Sequence, residues 1–111
     1  MAETDPNEAY RESLRHSLDR PSEARVYDFY LGGACNFAVD REFGEAQITR
    51  YPDMPMIARE NRAFLQRAVR HLVGAGVRQF VDIGSGLPTA GNVHQIADDA
   101  APGSTRVVYI D

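Results

Sequence analysis

The sequence predicts an α/β fold in which helices precede a strand, a helix and a second strand. Residues 80–86, FVDIGSG, form an apolar run that contains an acid and ends in a Gly-x-Gly turn. Residues 107–111, VVYID, form a second apolar run tipped by an acid. Runs of this kind are typical of the buried parallel strands of a nucleotide-binding βαβ unit. The upstream apolar residues recur at three- and four-residue steps, which predicts helices.

Length and composition indicate one small globular domain at most. The 111 residues are 43% hydrophobic and 25% charged, and the net charge is −4. Because this balance lacks the basic footprint of phosphate-backbone binding, we expect no nucleic-acid partner. A small-molecule partner is favoured instead.

Neither a membrane nor a metal is expected to be a partner. The N-terminus is acidic where a signal peptide is basic, and no stretch approaches the ~18 apolar residues of a membrane span. We therefore expect a cytoplasmic chain. The single cysteine, Cys35, and the three histidines show no tight ligand spacing, so we expect no metal site.

Residues 1–20 are polar and acidic, and we expect them to form a flexible N-terminal tail. The four-residue spacing of Tyr10, Leu14 and Leu18 leaves open a helix that docks on another surface.

Residues 21–76 are predicted to be helical. Ser22 is expected to cap a first helix that ends at Gly32-Gly33. Asp40 is expected to cap a second helix that Pro52 closes. The apolar side of that second helix is predicted to consist of Phe43, Ala46 and Ile48.

A longer helix is predicted from Met54 or Pro55 to Gly74 or Gly76, with basic residues near its end. Its apolar positions are Ile57, Phe64, Leu65, Ala68, Val69, Leu72 and Val73.

Residues 77–111 are predicted to form the first βαβ unit, with strands near 78–83 and 107–110 and a helix near 92–100. Gly84 and Gly86 follow the first strand, where a ligand can approach a main chain that lacks Cβ atoms. Asp111 lies 25 residues after Gly86, near the offset at which an acid accepts hydrogen bonds from ribose hydroxyls. Asp82 either belongs to the same site or only caps the turn.

The glycine turn departs from the dinucleotide fingerprint. Its third glycine is missing, and Pro88 removes an amide that a pyrophosphate would use. A nucleoside cofactor without pyrophosphate is therefore favoured over a nicotinamide dinucleotide.

Two segments, VDIGSG at 81–86 and VVYID at 107–111, resemble motif I and the post-I acid of the Rossmann-like S-adenosylmethionine-dependent methyltransferases. Residues 21–42 and 58–97 further resemble an S-adenosyl methyltransferase family long catalogued only as a domain of unknown function. Its hallmarks are an ARVYDYLLGG-type segment, an NRAFL helix and a DIGSGLPT turn. The resemblance covers about residues 20–111 and implies the N-terminal part of a Rossmann-like methyltransferase fold that binds S-adenosyl-L-methionine.

The resemblance also implies a set of cofactor-binding residues. Asp82, Gly84, Ser85 and Gly86 correspond to the positions around the methionine and ribose of the cofactor, and Asp111 to the acid that binds the ribose hydroxyls. Residues 21–76 would form a cover over the site. The cover residues expected near the cofactor are Tyr27, Gly33 and Asn36, with Arg25, Asp28, Gly32 and Phe37 beside them.

The resemblance leaves the catalytic residues and the methyl acceptor unassigned. Where the family commonly has a basic residue and an acid after the double glycine, this chain has Ala34 and Cys35. Two interpretations of Arg62 stay open: it belongs to a polar helix face, or it reaches an acid of the cover and fixes the cover in place. His94 and Asp98, four residues apart, are expected to form an exposed pair.

A methyltransferase of this architecture has a seven-stranded sheet, and this sequence predicts two strands. We therefore interpret the chain as an N-terminal fragment that carries the first half of the cofactor site. One alternative is an inactive fragment or protein-interaction module whose partner covers the exposed sheet edge. A nicotinamide-dependent oxidoreductase is a further, less favoured alternative.

Overall fold

The computed structural model describes residues 5, 7–86 and 91–111. Four helices come first, and a strand, a helix and a second strand follow, which confirms the predicted α/β fold. The elements are α1 Glu8–Asp19, α2 Glu23–Tyr30, α3 Ala38–Arg50, α4 Met54–Gly74, β1 Gln79–Ile83, α5 Val93–Ala100 and β2 Arg106–Ile110.

The two strands pair in parallel, in a register that runs from Gln79 opposite Arg106 to Ile83 opposite Ile110. Helix α5 connects them. One face of the sheet packs on a core made by α4 and α5. Its buried members are Val69, Val73, Val93 and Ala97, and Phe80 and Val107 pack against them from the strands.

The opposite face of the sheet is uncovered by the described residues. Val81, Ile83, Val108 and Ile110 share this face and are 53–74% exposed. These four side chains therefore form a continuous apolar surface that is open on one side of the sheet. The chain as a whole is extended, since its Cα radius of gyration is 17.9 Å, whereas a compact domain of this length has about 13 Å.

A second core lies among the N-terminal helices. Val26 and Tyr30 of α2 are buried with Ala58 of α4, and partly buried apolar side chains surround them. Since α4 also supplies Val69 and Val73 to the first core, this one helix joins the cover segment to the sheet.

The predicted end of α2 at Gly32-Gly33 is confirmed. Gly32 has a positive φ of +76°, the left-handed conformation that glycine adopts readily. Its amide donates to the Phe29 carbonyl at 3.0 Å, and the Gly33 amide donates to the Asp28 carbonyl at 2.9 Å. These bonds satisfy carbonyls of the last turn.

Both predicted helix caps are confirmed in part. Ser22 occupies the N-cap position of α2, but its side chain makes no capping hydrogen bond. Asp40 lies inside α3, which begins at Ala38. Its carboxylate is fully buried and accepts hydrogen bonds from the amides of Ser22 (3.0 Å) and Phe37 (2.9 Å) and from Arg25 Nε (2.7 Å). Asp40 therefore caps the start of α3 from the third helical position and also joins α3 to α2 through Arg25.

The predicted apolar side of α3 was partly wrong. Phe43 is 44% exposed, Ala46 is exposed as well, and Ile48 alone of the three packs on the second core. Gly44 and Asp40 are the buried residues of α3, and a Cβ on Gly44 would overlap the ring of Phe29. The helix packs closely through its glycine, which a search for large apolar side chains overlooks.

The bounds predicted for α4 are confirmed, but three of its predicted apolar positions face outward. Ile57, Phe64 and Leu72 are 40–63% exposed.

Within the described residues, no helix is long and apolar enough to cross a bilayer.

Residues 8–19 adopt the helical alternative. All residues of α1 are exposed, Tyr10, Leu14 and Leu18 included. The helix end is held through Arg25, which donates to the carbonyls of Ser17 (2.6 Å) and Arg20 (2.9 Å).

Burial by itself raises the pKa of Asp40. The hydrogen bond from Arg25, those from the Ser22 and Phe37 amides, and the charge of Arg25 together outweigh burial, so the pKa lies below its usual range. Asp40 therefore stays ionised at neutral pH while fully buried.

We expect Asp40→Asn to destabilise the fold in a pH-dependent way. Loss of one partner of a buried, charged hydrogen bond costs about 2–3 kcal/mol at pH 7. Because the pKa is lowered by folding, the carboxylate stabilises the fold above its unfolded pKa of about 4 and loses this effect as pH falls through the folded pKa. Urea unfolding between pH 7 and pH 2 should therefore show the gap between wild type and variant shrinking at acid pH.

Asp99→Asn is the matched control, since the Asp99 carboxylate is exposed and the part of the chain that the structure describes gives it no hydrogen-bond partner. A gap for Asp40→Asn that does not change with pH would contradict the assignment.

Candidate functional site

A pocket of about 550 Å³ lies at the carboxyl edge of the sheet. The ends of both strands form one wall, and helices α2 and α4 form the other. The lining residues are Ser22, Glu23, Ala24, Tyr27, Asp28, Leu31, Asn61, Arg62, Leu65, Asp82, Gly84, Ser85, Gly86 and Asp111.

The sheet wall brings together the predicted residues Asp82, Gly84, Ser85, Gly86 and Asp111. The Gly84 amide donates to the Ile110 carbonyl at 2.7 Å, which fixes the turn against the end of β2. Gly84 and Gly86 have φ values of +71° and +78°, which residues other than glycine rarely adopt. That these residues bind a cofactor stays a prediction.

Asp82 makes no hydrogen bond to a backbone amide among residues 7–86 and 91–111. Within these residues, the interpretation of Asp82 as a mere turn cap has no support. Pro88, on which the argument against a pyrophosphate depends, lies outside the described residues.

The helical wall holds Tyr27 in a fixed position. Its hydroxyl donates to the Ala58 carbonyl at 3.2 Å and accepts from Asn61 Nδ2 at 3.0 Å. The guanidinium carbon of Arg62 lies 5.9 Å from the centre of the Tyr27 ring, a cation–π contact. Tyr27 thus lines the pocket as predicted, and α4 positions it.

Of the two interpretations of Arg62, the contact with an acid of the cover is not formed. The side chain makes no ion pair with any described acid. The Arg25–Asp40 pair, at 2.7 Å, connects the elements of the cover.

Gly33 and Asn36, which were predicted to lie at the cofactor, do not line the pocket. They lie behind Asp28, which does. Asp28 Oδ2 accepts hydrogen bonds from Asn36 Nδ2 at 2.9 Å and from the Cys35 amide at 2.8 Å. A Cβ on Gly33 would overlap the same carboxyl group. The segment after α2 therefore does not line the pocket itself, but it holds the Asp28 carboxyl group in position.

Cys35 takes part in this arrangement through its backbone. Its amide donates to Asp28, and its thiol is exposed. The side chain at this position is not needed for the contact.

Several pocket residues were not predicted to belong to the site: Ser22, Glu23, Ala24, Leu31 and Leu65. Helical spacing carries a signal for most of them. Ala24, Tyr27, Asp28 and Leu31 recur at three- and four-residue steps, as do Asn61 or Arg62 and Leu65, so each set shares one helix face.

The predicted pair of His94 and Asp98 is not formed. The backbone amide of His94 donates to the Tyr109 hydroxyl at 3.0 Å, and its ring Nδ1 hydrogen-bonds to the same oxygen. Asp98 accepts from the Gly103 amide at 3.0 Å. Neither residue lines the pocket. The His94 ring ties α5 to the Tyr109 side chain of β2, and Asp98 binds the backbone just after α5.

The chain is similar to known proteins in sequence and in structure. The S-adenosyl methyltransferase family matches residues 10–111. A DUF574 family protein from Streptomyces avermitilis MA-4680 superposes with a TM-score of 0.79 at 45% identity, over 84% of this chain and 36% of that chain. A protein from Thermobifida fusca YX, provisionally designated a methyltransferase, superposes with a TM-score of 0.80 at 46% identity, over 86% of this chain and 36% of that chain.

This chain therefore spans 36% of the length of either solved structure. Among proteins of curated function, none matches it.

We expect Gly33→Ala to displace the Asp28 carboxyl group and lower stability. The added methyl would meet side-chain atoms of Asp28, and overpacking of this kind costs about 1–3 kcal/mol. Urea unfolding measures the change. Gly74→Ala is the matched control, because its Cβ would enter open space near the end of α4, where alanine favours the helix by up to about 1 kcal/mol. Equal stability changes in the two variants would rule out the proposed overlap.

Proposed function

The chain belongs to the S-adenosyl methyltransferase family, and on that premise we propose that its pocket binds S-adenosyl-L-methionine. The observation that carries the proposal is the composition of the sheet wall. Asp82 near the end of β1, the glycine turn after β1 and Asp111 after β2 line one pocket. Ligands of parallel α/β sheets bind at this edge.

The residues present fit this cofactor. The volume of about 550 Å³ lies within the range of small-molecule sites, about 300–1,000 Å³. Gly84 and Gly86 leave the backbone accessible. Asp111 offers a carboxylate that can accept hydrogen bonds from ribose hydroxyls and would disfavour a 2′-phosphate.

When bound, S-adenosyl-L-methionine supplies an electrophilic methyl group on a sulfonium ion. The chain's own residues would bind and orient the cofactor. The cofactor would contact Asp82, Ser85 and the glycines. It would be shielded from water by Tyr27 and the first turns of α2. This proposal assigns no general base and no methyl acceptor.

This chain contributes only part of the proposed site. We infer that residues 21–76 act as a cover and that residues 77–111 supply the first half of the cofactor site. Methyl transfer itself is proposed for the architecture of the solved relatives, of which this chain spans 36%.

A second candidate function, a protein-interaction module, is favoured by the open face of the sheet. Val81, Ile83, Val108 and Ile110 are exposed side by side, and burial of one such side chain contributes about 1.5–3 kcal/mol. A partner that covers this face or the neighbouring strand edge would stabilise the chain.

We expect S-adenosylhomocysteine to bind this chain at least tenfold more tightly than NAD. Titration followed by ¹H–¹⁵N NMR suits a weak site, and the largest amide shifts should fall on Gly84, Ser85 and Gly86. Asp111→Asn should weaken binding about tenfold, the equivalent of losing one charged hydrogen bond. Asp99→Asn, outside the pocket, should bind like wild type. Preference for NAD, or shifts confined to the open sheet face, would refute the proposed cofactor.

A further inference from the structure

Two apolar surfaces of the chain are not covered by the described residues. The first is the open sheet face, which consists of Val81, Ile83, Val108 and Ile110. The second is the apolar side of α1, which consists of Tyr10, Leu14 and Leu18. Because the residues of the second surface recur at four-residue steps, they share one helix face. Each surface leaves apolar area in contact with water, which favours association with another molecule.

Helix α1 is held at its C-terminal end. Arg25 donates to the carbonyls of Ser17 at 2.6 Å and Arg20 at 2.9 Å, and its Nε donates to the buried Asp40 carboxylate at 2.7 Å. No residue of α1 is buried, and its apolar side chains belong to neither core. The apolar side of α1 can therefore pack on another molecule without giving up a core contact of its own chain.

The two surfaces match in size. Helix α1 has 12 residues and is about 18 Å long at about 1.5 Å per residue. Each strand has five residues and is about 17 Å long at about 3.3 Å per residue. Two strands about 4.8 Å apart form a ribbon about 10 Å wide, and a helix with its side chains is about 10–12 Å across. One helix of this length therefore covers the open sheet face.

The area that each arrangement buries distinguishes two ways of pairing two copies. Full burial of an apolar side chain contributes about 1.5–3 kcal/mol, which corresponds to about 60–120 Å² at about 25 cal/mol per Å². The side chains of the two surfaces are 46–74% exposed, and apolar atoms supply about 57% of a typical interface. These two factors nearly cancel, so the full-burial figure approximates the interface area per side chain.

On this scale, stacking the open sheet faces of two copies buries about 500–1,000 Å² in total. Docking α1 of each copy on the sheet of the other buries about 800–1,700 Å². Specific interfaces need about 1,000 Å² or more. Reciprocal docking of α1 therefore reaches the size of a stable interface, whereas stacking of the sheets falls short of it.

We propose that the chain forms a two-fold symmetric dimer in which α1 of each copy covers the open sheet face of the other. Both surfaces occur on one chain, so a second copy supplies to each surface the one that it lacks. Reciprocal contacts of this kind close at two copies. The inference is independent of the proposed cofactor, because the pocket contains none of the residues of either surface.

Sedimentation equilibrium tests the proposal on the whole chain. We expect wild type at tens of micromolar to have twice the 12.3 kDa mass of one chain. Leu14→Asp on α1 and Val108→Asp on the sheet should each weaken dimerisation at least tenfold, since either substitution alters both contacts of the dimer. Phe43→Asp is the matched control, because Phe43 is 44% exposed and lies on α3, outside both surfaces. This variant should dimerise like wild type.

A mixture of the two variants tests whether the contact joins α1 to the sheet. The Leu14→Asp chain keeps an intact sheet face, and the Val108→Asp chain keeps an intact α1. A mixed dimer therefore retains one of the two contacts, while either variant alone retains neither. We expect the mixture to associate at least tenfold more tightly than either variant alone.

Circular dichroism checks that each variant is folded. Leu14 belongs to no core, so Leu14→Asp should keep its fold. If Val108→Asp fails to fold, Ile83→Asp replaces it.

Three outcomes would overturn the proposal. The first is a monomeric wild type at hundreds of micromolar. The second is a dimer that Val108→Asp disrupts and Leu14→Asp leaves intact, because the sheets would then pair without α1. The third is a mixture of variants that associates no better than its components.

Discussion

Parallel pairing of β1 and β2 is the constraint on which the rest of the structure depends. Because the strands run in the same direction, both end at one edge, and the Gly84 amide bonds to the Ile110 carbonyl there. That bond fixes the glycine turn between the two strand ends, beside Asp82 and Asp111. The backbone of the sheet wall is therefore fixed by strand pairing and by this one bond.

The second wall depends on a single helix. Ala58 of α4 packs on α2, while Val69 and Val73, three to four turns further along, pack on α5 and the sheet. Asn61, Arg62 and Leu65 lie between these anchors and line the pocket. The separation of the two walls is therefore set by how α4 packs at both of its ends. The Arg25–Asp40 pair fixes α2 to α3 at the far side of the cover.

Local signals in the sequence were sufficient for the strands, the glycine turn and the ends of α2 and α4, because chain breakers and apolar spacing determine these features within a few residues. Asp40 does cap α3, but its contact with Arg25, 15 residues away, depends on tertiary packing that the local sequence does not encode. Gly33 and Asn36 were predicted to lie at the cofactor, but they do not line the pocket, because both lie against Asp28. The exposure of Phe43 and the contact of His94 with Tyr109 likewise depend on tertiary packing that spacing along one helix does not encode.

The open face of the sheet and the pocket are independent surfaces. Successive side chains of a strand point to opposite faces, so Val81 and Ile83 lie on the open face while Phe80 and Asp82 lie on the other. Phe80 packs on the first core and Asp82 lines the pocket. A surface that covered Val81, Ile83, Val108 and Ile110 would bury apolar area without entering the space between the sheet wall and α2. A partner could therefore cover the sheet while the pocket binds a cofactor. Stabilising the sheet in this way would also support the strand ends on which cofactor binding depends.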